Sequence, residues 1–299
     1  MSYRLKTEES LAAGIRRIAW EQLEGALCEM KGMTAGNEAE AVHATRKHIK
    51  KTRALLRLVR EQLGDERYRE ENGRLRETAR AFSSSRDARV QLETLADVCQ
   101  RAQQKTTDFP HTSKELQHEI SAISDSFGAR RLEAVATLQH IADRIEGWPV
   151  DKLGPNDLSC ALQHAYRRGR KCFRCVSKEP LPEQFHSWRK RVKDIWYQAR
   201  LLQNLDEEVV CAIAAAAKNL GQKLGALHDL AFFRAQLEAS QTKGEDERAI
   251  LLGLICTRER ELERICVDLG ARFFAEKPGR FGRRVLRYAS DRRVESGPA

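Results

Sequence analysis

Apolar residues recur three and four positions apart along most of this chain, and runs that alternate strictly with polar residues are hard to find. That period belongs to helices that bury one face. Read this way, the sequence predicts helices over Glu8–Lys31, Glu38–Leu63, Glu66–Ser84, Asp87–Gln104, Ser113–Ser124 and Gly128–Ile145. A turn-rich stretch follows, Gly147-Trp148-Pro149-Val150-Asp151-Lys152-Leu153-Gly154-Pro155, and it breaks the pattern. Beyond it come Asp157–Ser177, Pro182–Asn204, Glu207–Leu227, Asp229–Gln241 and Asp246–Leu269, with a short helix near Phe281–Tyr288. Asn37 with Glu40 has the form of a capping box, and Asp65 and Asp206 are placed to cap helices. Gly64 is a helix stop, Pro182 suits a first helical position, and the tail after Arg293 is expected to fray. The fold class is all-α.

The apolar pattern repeats at long range. Val42-His43-Ala44-Thr45-Arg46-Lys47-His48-Ile49-Lys50 aligns with Phe185-His186-Ser187-Trp188-Arg189-Lys190-Arg191-Val192-Lys193, and 81–87 aligns with 223–229 at nearly the same offset. Two landmarks in one order and spacing predict a duplicated unit, far longer than a solenoid repeat. The expected division is a helical half over 1–146, a linker at 147–156 and a second helical half over 157–299.

Charge sharpens this picture. The 299 residues carry a net charge of +10, with 41% hydrophobic residues, enough for real cores. His43, Arg46, Lys50, Arg53, Arg57 and Arg60 alternate three and four apart, on one helical face, with no acid between His43 and Arg60. Thr45, Ile49, Thr52, Leu56 and Val59 form the neighbouring stripe that faces a core. Like-charge neighbours on a helix cost about 0.2–0.5 kcal/mol each, so the run costs about 1–2 kcal/mol. A sequence that carries this burden twice gains something from an anion. A second acid-free cluster, Arg167, Arg168, Arg170, Lys171 and Arg174, precedes the second stripe, and Arg16 and Arg17 are its counterpart in the first half. Arg284, Arg287, Arg292 and Arg293 form a peripheral basic segment. Arginine dominance favours phosphate, which a guanidinium grips with two parallel hydrogen bonds.

Other chemistry fits less well. No apolar run approaches the roughly 20 residues of a membrane span, and no membrane partner is expected. Eight scattered cysteines suit a reducing cytoplasm, and Cys172-x-x-Cys175 reads as two thiols on one helix. His228-Asp229 suggests a metal site only superficially, because Arg86-Asp87 stands at its counterpart; Asp87 and Asp229 are better read as helix-start caps. No cofactor or metal is expected. His43 and His186 read as phosphate donors, since no nucleophile or carboxylate pair recurs beside them. Nucleic acid is the second reading, weakened because the first stripe has no aromatic for base stacking. An enzyme acting on phosphoanhydrides is the third.

These segments resemble the CHAD domain, the conserved histidine α-helical domain. Residues 42–56 resemble its first signature and 185–197 its second, and Ser84-Ser85-Arg86-Asp87-Ala88, Leu224-Gly225-Ala226-Leu227-His228-Asp229-Leu230 and Tyr166-Arg167-Arg168-Gly169-Arg170 also match its pattern. The resemblance implies two helical bundles related by a pseudo-twofold axis around a basic groove or pore. It also implies binding of inorganic polyphosphate, often with targeting to polyphosphate granules; with no catalytic group beside the histidines, the leading reading is a non-enzymatic binding module. Carried over by position, the anion-binding set is His43, Arg46, Lys47, Lys50, Arg53 and Arg57, then His186, Arg189, Lys190, Lys193 and Arg200. Arg167, Arg168, Arg170, Lys171 and Arg174 would extend that surface. The second copy departs at Trp196 and Gln203, where the first has Arg53 and Arg60. Some members of the family carry a triphosphate-tunnel domain, which needs a β-barrel and a Glu-x-Glu-x-Lys strand; Glu259-Arg260-Glu261 sits instead in a helical pattern.

Overall fold

The computed structural model describes residues 3–34, 37–82, 84–121, 127–205, 207–239 and 244–285. The described residues form helices and no strand, as the apolar period predicts. In chain order they are α1 (Leu11–Lys31), α2 (Glu38–Leu58), α3 (Arg60–Leu63), α4 (Asp65–Ala81), α5 (Ser84–Arg101), α6 (Pro110–Ser121), α7 (Phe127–Asp143), α8 (Pro155–Lys178), α9 (Pro182–Leu201), α10 (Glu207–Ala239) and α11 (Glu245–Phe273). A last helix, α12, covers 278–285.

α1 packs on α2 and α7, and α4 closes the same group against α2 and α7. α8 packs on α9, α9 on α10, and α10 on α11. The two groups are not independent. α2 lies directly against both α9 and α8, and α5 reaches across to α10 and α11. The N-terminal segment also crosses over: Leu5 N donates to Leu201 O at 3.0 Å, and the Tyr3 hydroxyl to Lys51 O at 2.9 Å. Residues 147–156 are packed down, with Trp148 and Val150 fully buried.

Several predicted boundaries move, each for a local reason. α1 starts at Leu11 because Ser10 caps it, its hydroxyl accepting from Ala13 N at 3.2 Å, while Glu9 turns back to accept from Lys6 N. The predicted capping box at Asn37 does not form; the Asn37 side chain accepts from Thr34 N at 2.7 Å instead. Gly64, at φ 78°, does stop α3, and it leaves Asp65 inside the first turn of α4 rather than at the cap. Pro182 opens α9 as expected. The predicted division of α10 near Leu227 is absent, so Asp229 lies mid-helix and caps nothing. Asp206, Ser83, Arg287, Arg292 and Arg293 lie outside the described residues, as do the side chains of Arg86 and Asp87.

The glycines that suggested a break in α10 serve close packing. A Cβ on Gly221 would lie 3.6 Å from Val192, and one on Gly225 3.6 Å from the Arg189 guanidinium. The helix tolerates them at about 1 kcal/mol each, and α9 lies close alongside.

Candidate functional site

The buried face of α2 is the predicted one: Thr45, Ile49, Thr52 and Leu56 are all at most 1% exposed. Their burial turns Arg46, Lys50, Arg53 and Arg57 to the adjoining face. On α9, burial of Phe185, Trp188, Val192 and Ile195 does the same for His186, Arg189, Lys190 and Lys193. Because α2 packs on α9, the two rows meet. With Arg76 and Arg80 of α4 and Arg191 of α9 they line a single basin of about 570 Å³. Its described lining carries ten Lys and Arg side chains and one carboxylate, Asp194.

Asp194 is the joint. It is 8% exposed, pairs with Arg57 of α2 at 2.7 Å and with Arg191 of α9 at 3.1 Å. The first copy has Lys51 at this position, so the bridge exists only once. Two further contacts position the α2 stripe against α4. Arg53 Nε donates to Asn72 Oδ1 at 2.9 Å, and the Arg46 guanidinium donates to Ala79 O near the end of α4. These contacts hold the Arg53 and Arg46 guanidiniums against α4.

The basin is electrostatically loaded. Burial and then the charges of Arg191, Arg53, Arg80 and Arg189 push the Lys190 ammonium below its usual range, which places cations of α2, α4 and α9 around one side chain. Burial and neighbouring Arg57 depress Arg53 to about 10, against the opposing influence of Tyr68 and Asp194. His186 is pushed down to about 4, by burial first and then by His228, Lys190 and Arg189. His228 reaches it from α10, ring centroids 4.5 Å apart and edge-on. His186 is thus neutral at pH 7.

The family model of the CHAD domain matches residues 17–238, about three quarters of the chain and every helix that lines the basin. This chain belongs to the CHAD domain family. No curated protein matches it. The all-α fold expected from the CHAD signatures is present, and the matched segment ends within α10. α11 and α12 lie past it yet complete the core, Gly270 seating the Trp188 ring and Phe281 stacking on Tyr166 at 4.0 Å.

The basic positions selected from the sequence divide into three groups. Arg46, Lys50, Arg53, Arg57, His186, Arg189, Lys190 and Lys193 line the basin. A second group has other contacts. Arg200 lies over the rings of Tyr3 and Trp196, at 5.6 and 5.4 Å, and Arg170 donates to Phe274 O at 2.8 Å. Arg16 pairs with Asp151 at 2.9 Å and donates to Trp148 O, and Arg17 is held by Glu9, Glu21 and Arg4 O. Carboxylates pair with both guanidiniums and raise their pKa, Asp151 for Arg16 and Glu9 foremost for Arg17; neither lines the basin. A third group stands away from the lining: Lys47 on α2, and Arg167, Lys171 and Arg174 on α8, are exposed. Arg168 lines a separate hollow, and His43 another, about 320 Å³, with Glu40, Arg89 and Glu93. Arg60 leaves the row because Val59 kinks the helix; it pairs with Asp65 at 2.8 Å and lies over Tyr68.

Arg76, Arg80, Arg191 and Asp194 are the charged lining residues that the sequence reading did not select. Arg76 and Arg80 share a face of α4 four residues apart, but Glu77 between them hid the pair from a search for acid-free runs. Cys172 and Cys175 both lie on α8, as read.

Proposed function

We propose that the basin binds inorganic polyphosphate and that the chain acts as a polyphosphate-binding module, with no catalytic step of its own, on polyphosphate granules in the cytoplasm. The observation that carries this reading is the convergence of α2, α4 and α9 cations around a single carboxylate. A flexible chain of phosphates can place successive charges against successive guanidiniums, each a bidentate partner. Affinity comes from ion pairing and counterion release, and long chains gain from neighbouring sites at high effective concentration. Membership of the CHAD family is consistent with a polyphosphate-related role. Nucleic acid is the weaker ligand on this reading. Tyr197 is the one Phe, Tyr or Trp in the described lining, and at 5% exposure it offers no platform for base stacking.

The test is a triple substitution on α2, Arg46→Glu, Lys50→Glu and Arg53→Glu. It should weaken binding of long-chain polyphosphate by at least about 100-fold, since each lost phosphate contact becomes a repulsion, while circular dichroism stays helical. Undiminished binding by a folded triple variant would move the site elsewhere.

A further inference from the structure

Arg167, Lys171 and Arg174, which the basin leaves out, run on to Lys178 as a row spaced four, three and four apart. All four are exposed on one face of α8 and span about 16 Å of it. From Leu158 to Lys178 the helix holds no acid, and no described residue meets these four side chains with an ion pair or a hydrogen bond.

A second row lies alongside. The neighbours of the α8 row one residue back, about 100° round the helix, clamp residues 273–282 along α8. Ser159 Oγ donates to Gly282 O at 3.1 Å, the Tyr166 hydroxyl to Glu276 O at 3.0 Å, and Arg170 Nε to Phe274 O at 2.8 Å. α12 therefore runs antiparallel to α8 and beside its exposed face. It and the residue before it add Lys277, Arg280 and Arg283, three residues apart, exposed and equally unpaired among the described residues. No acid lies between Lys277 and Val285, and Glu276 is taken up by Arg284 at 2.9 Å. This second row lies past residues 17–238, so it is not part of the matched CHAD module.

The pair of rows differs from the basin in shape. The basin gathers its cations around one carboxylate, whereas these stand on the outer faces of two helices. A single phosphate chain needs only one row. Two rows on helices packed about 8–10 Å apart suit two phosphate backbones side by side, as they border the grooves of a duplex, about 6–12 Å wide. Base stacking and membrane insertion both use exposed aromatic or large apolar side chains. The described residues of that kind, Trp20, Ile120, Leu132, Phe232 and Ile250, all lie on other helices.

We propose that α8 and α12 form a second anion surface, outside the basin, that binds the backbone of double-stranded nucleic acid without reading its sequence. This surface goes beyond the polyphosphate reading and does not depend on it.

The experiment titrates a fluorescent DNA duplex with the full chain and with three double variants of equal charge change. Two alter the rows, Lys171→Glu with Arg174→Glu and Arg280→Glu with Arg283→Glu; the third, Arg46→Glu with Lys50→Glu, alters the basin. The wild type should bind duplexes of unrelated sequence alike, and a single strand of the same length at least about 5-fold more weakly. Each row variant should lose at least about 10-fold in duplex affinity and flatten the slope of log K against log salt by about 2, one for each lost phosphate contact. The basin variant should lose less than about 3-fold, because salt screens a distant change of charge. Circular dichroism should find all three helical. Absence of duplex binding, wild-type affinity in either row variant, or a larger loss in the basin variant would each overturn the proposal. So would row variants that lose short-chain polyphosphate as strongly as duplex, since the rows would then extend the basin.

Discussion

Asp194 carries more consequence than any cation it holds. It draws Arg57 and Arg191 together across the α2–α9 contact, at 2.7 and 3.1 Å. Replacing it with Asn leaves two guanidiniums facing each other in a half-buried place, and breaking such a pair costs about 3 kcal/mol. The unliganded Asp194→Asn protein should therefore melt several degrees lower, and polyphosphate should bind it more tightly than the wild type, because two cations are released to the basin. Differential scanning calorimetry with and without polyphosphate measures both. His186 gives the second prediction at this scale. Its pKa of about 4 in the free protein lies below that of an exposed imidazole. A polyphosphate chain beside it would favour the charged form, so the complex takes up a proton and affinity should rise as the pH falls from 7 towards 5. In His186→Gln that slope should flatten. Folding stability runs the other way: between about 6.5 and 4 the unfolded imidazole binds the proton first, so His186 lowers stability as the pH falls through that window.

Helix packing explains which parts of this protein were legible beforehand. The α2 stripe was readable because Thr45, Ile49, Thr52 and Leu56 keep strict helical spacing, and burying them fixes where Arg46, Lys50, Arg53 and Arg57 must point. Arg16 and Arg17 misled because charge on a helix face says nothing about partners distant in sequence; Asp151 answers Arg16 from the packed-down 147–156 segment. The contribution of α4 was hidden for the same reason, since only the packing of α4 on α2 brings Arg76 and Arg80 to the basin. Glycine misled in α10, where it permits close packing and not a turn. Two glycines test this account. At Gly225 a Cβ meets ordinary contacts at 3.6 Å, so Gly225→Ala should leave stability unchanged or raise it by up to about 1 kcal/mol. At Gly270 a Cβ would lie 2.5 Å from the buried Trp188 ring, and Gly270→Ala should cost about 1–3 kcal/mol. Urea denaturation of both proteins decides it.

At the scale of the whole molecule, the N-terminal and C-terminal helices each bring one basic row, and the basin exists only because α2 and α9 touch. The like charges of the basin oppose folding, so an anion should stabilise the protein beyond what contact alone supplies. At 100 times its Kd, a ligand adds about 2.7 kcal/mol to stability, which for a chain of this size is a rise in Tm on the order of 5 °C. The direct measurement is a titration of the purified protein with long-chain polyphosphate at near-physiological salt, with single- and double-stranded DNA as competitors. Tight binding that weakens steeply with added salt and survives excess DNA is the expected result. Equal displacement by DNA would contradict the account and make the basin a general polyanion surface.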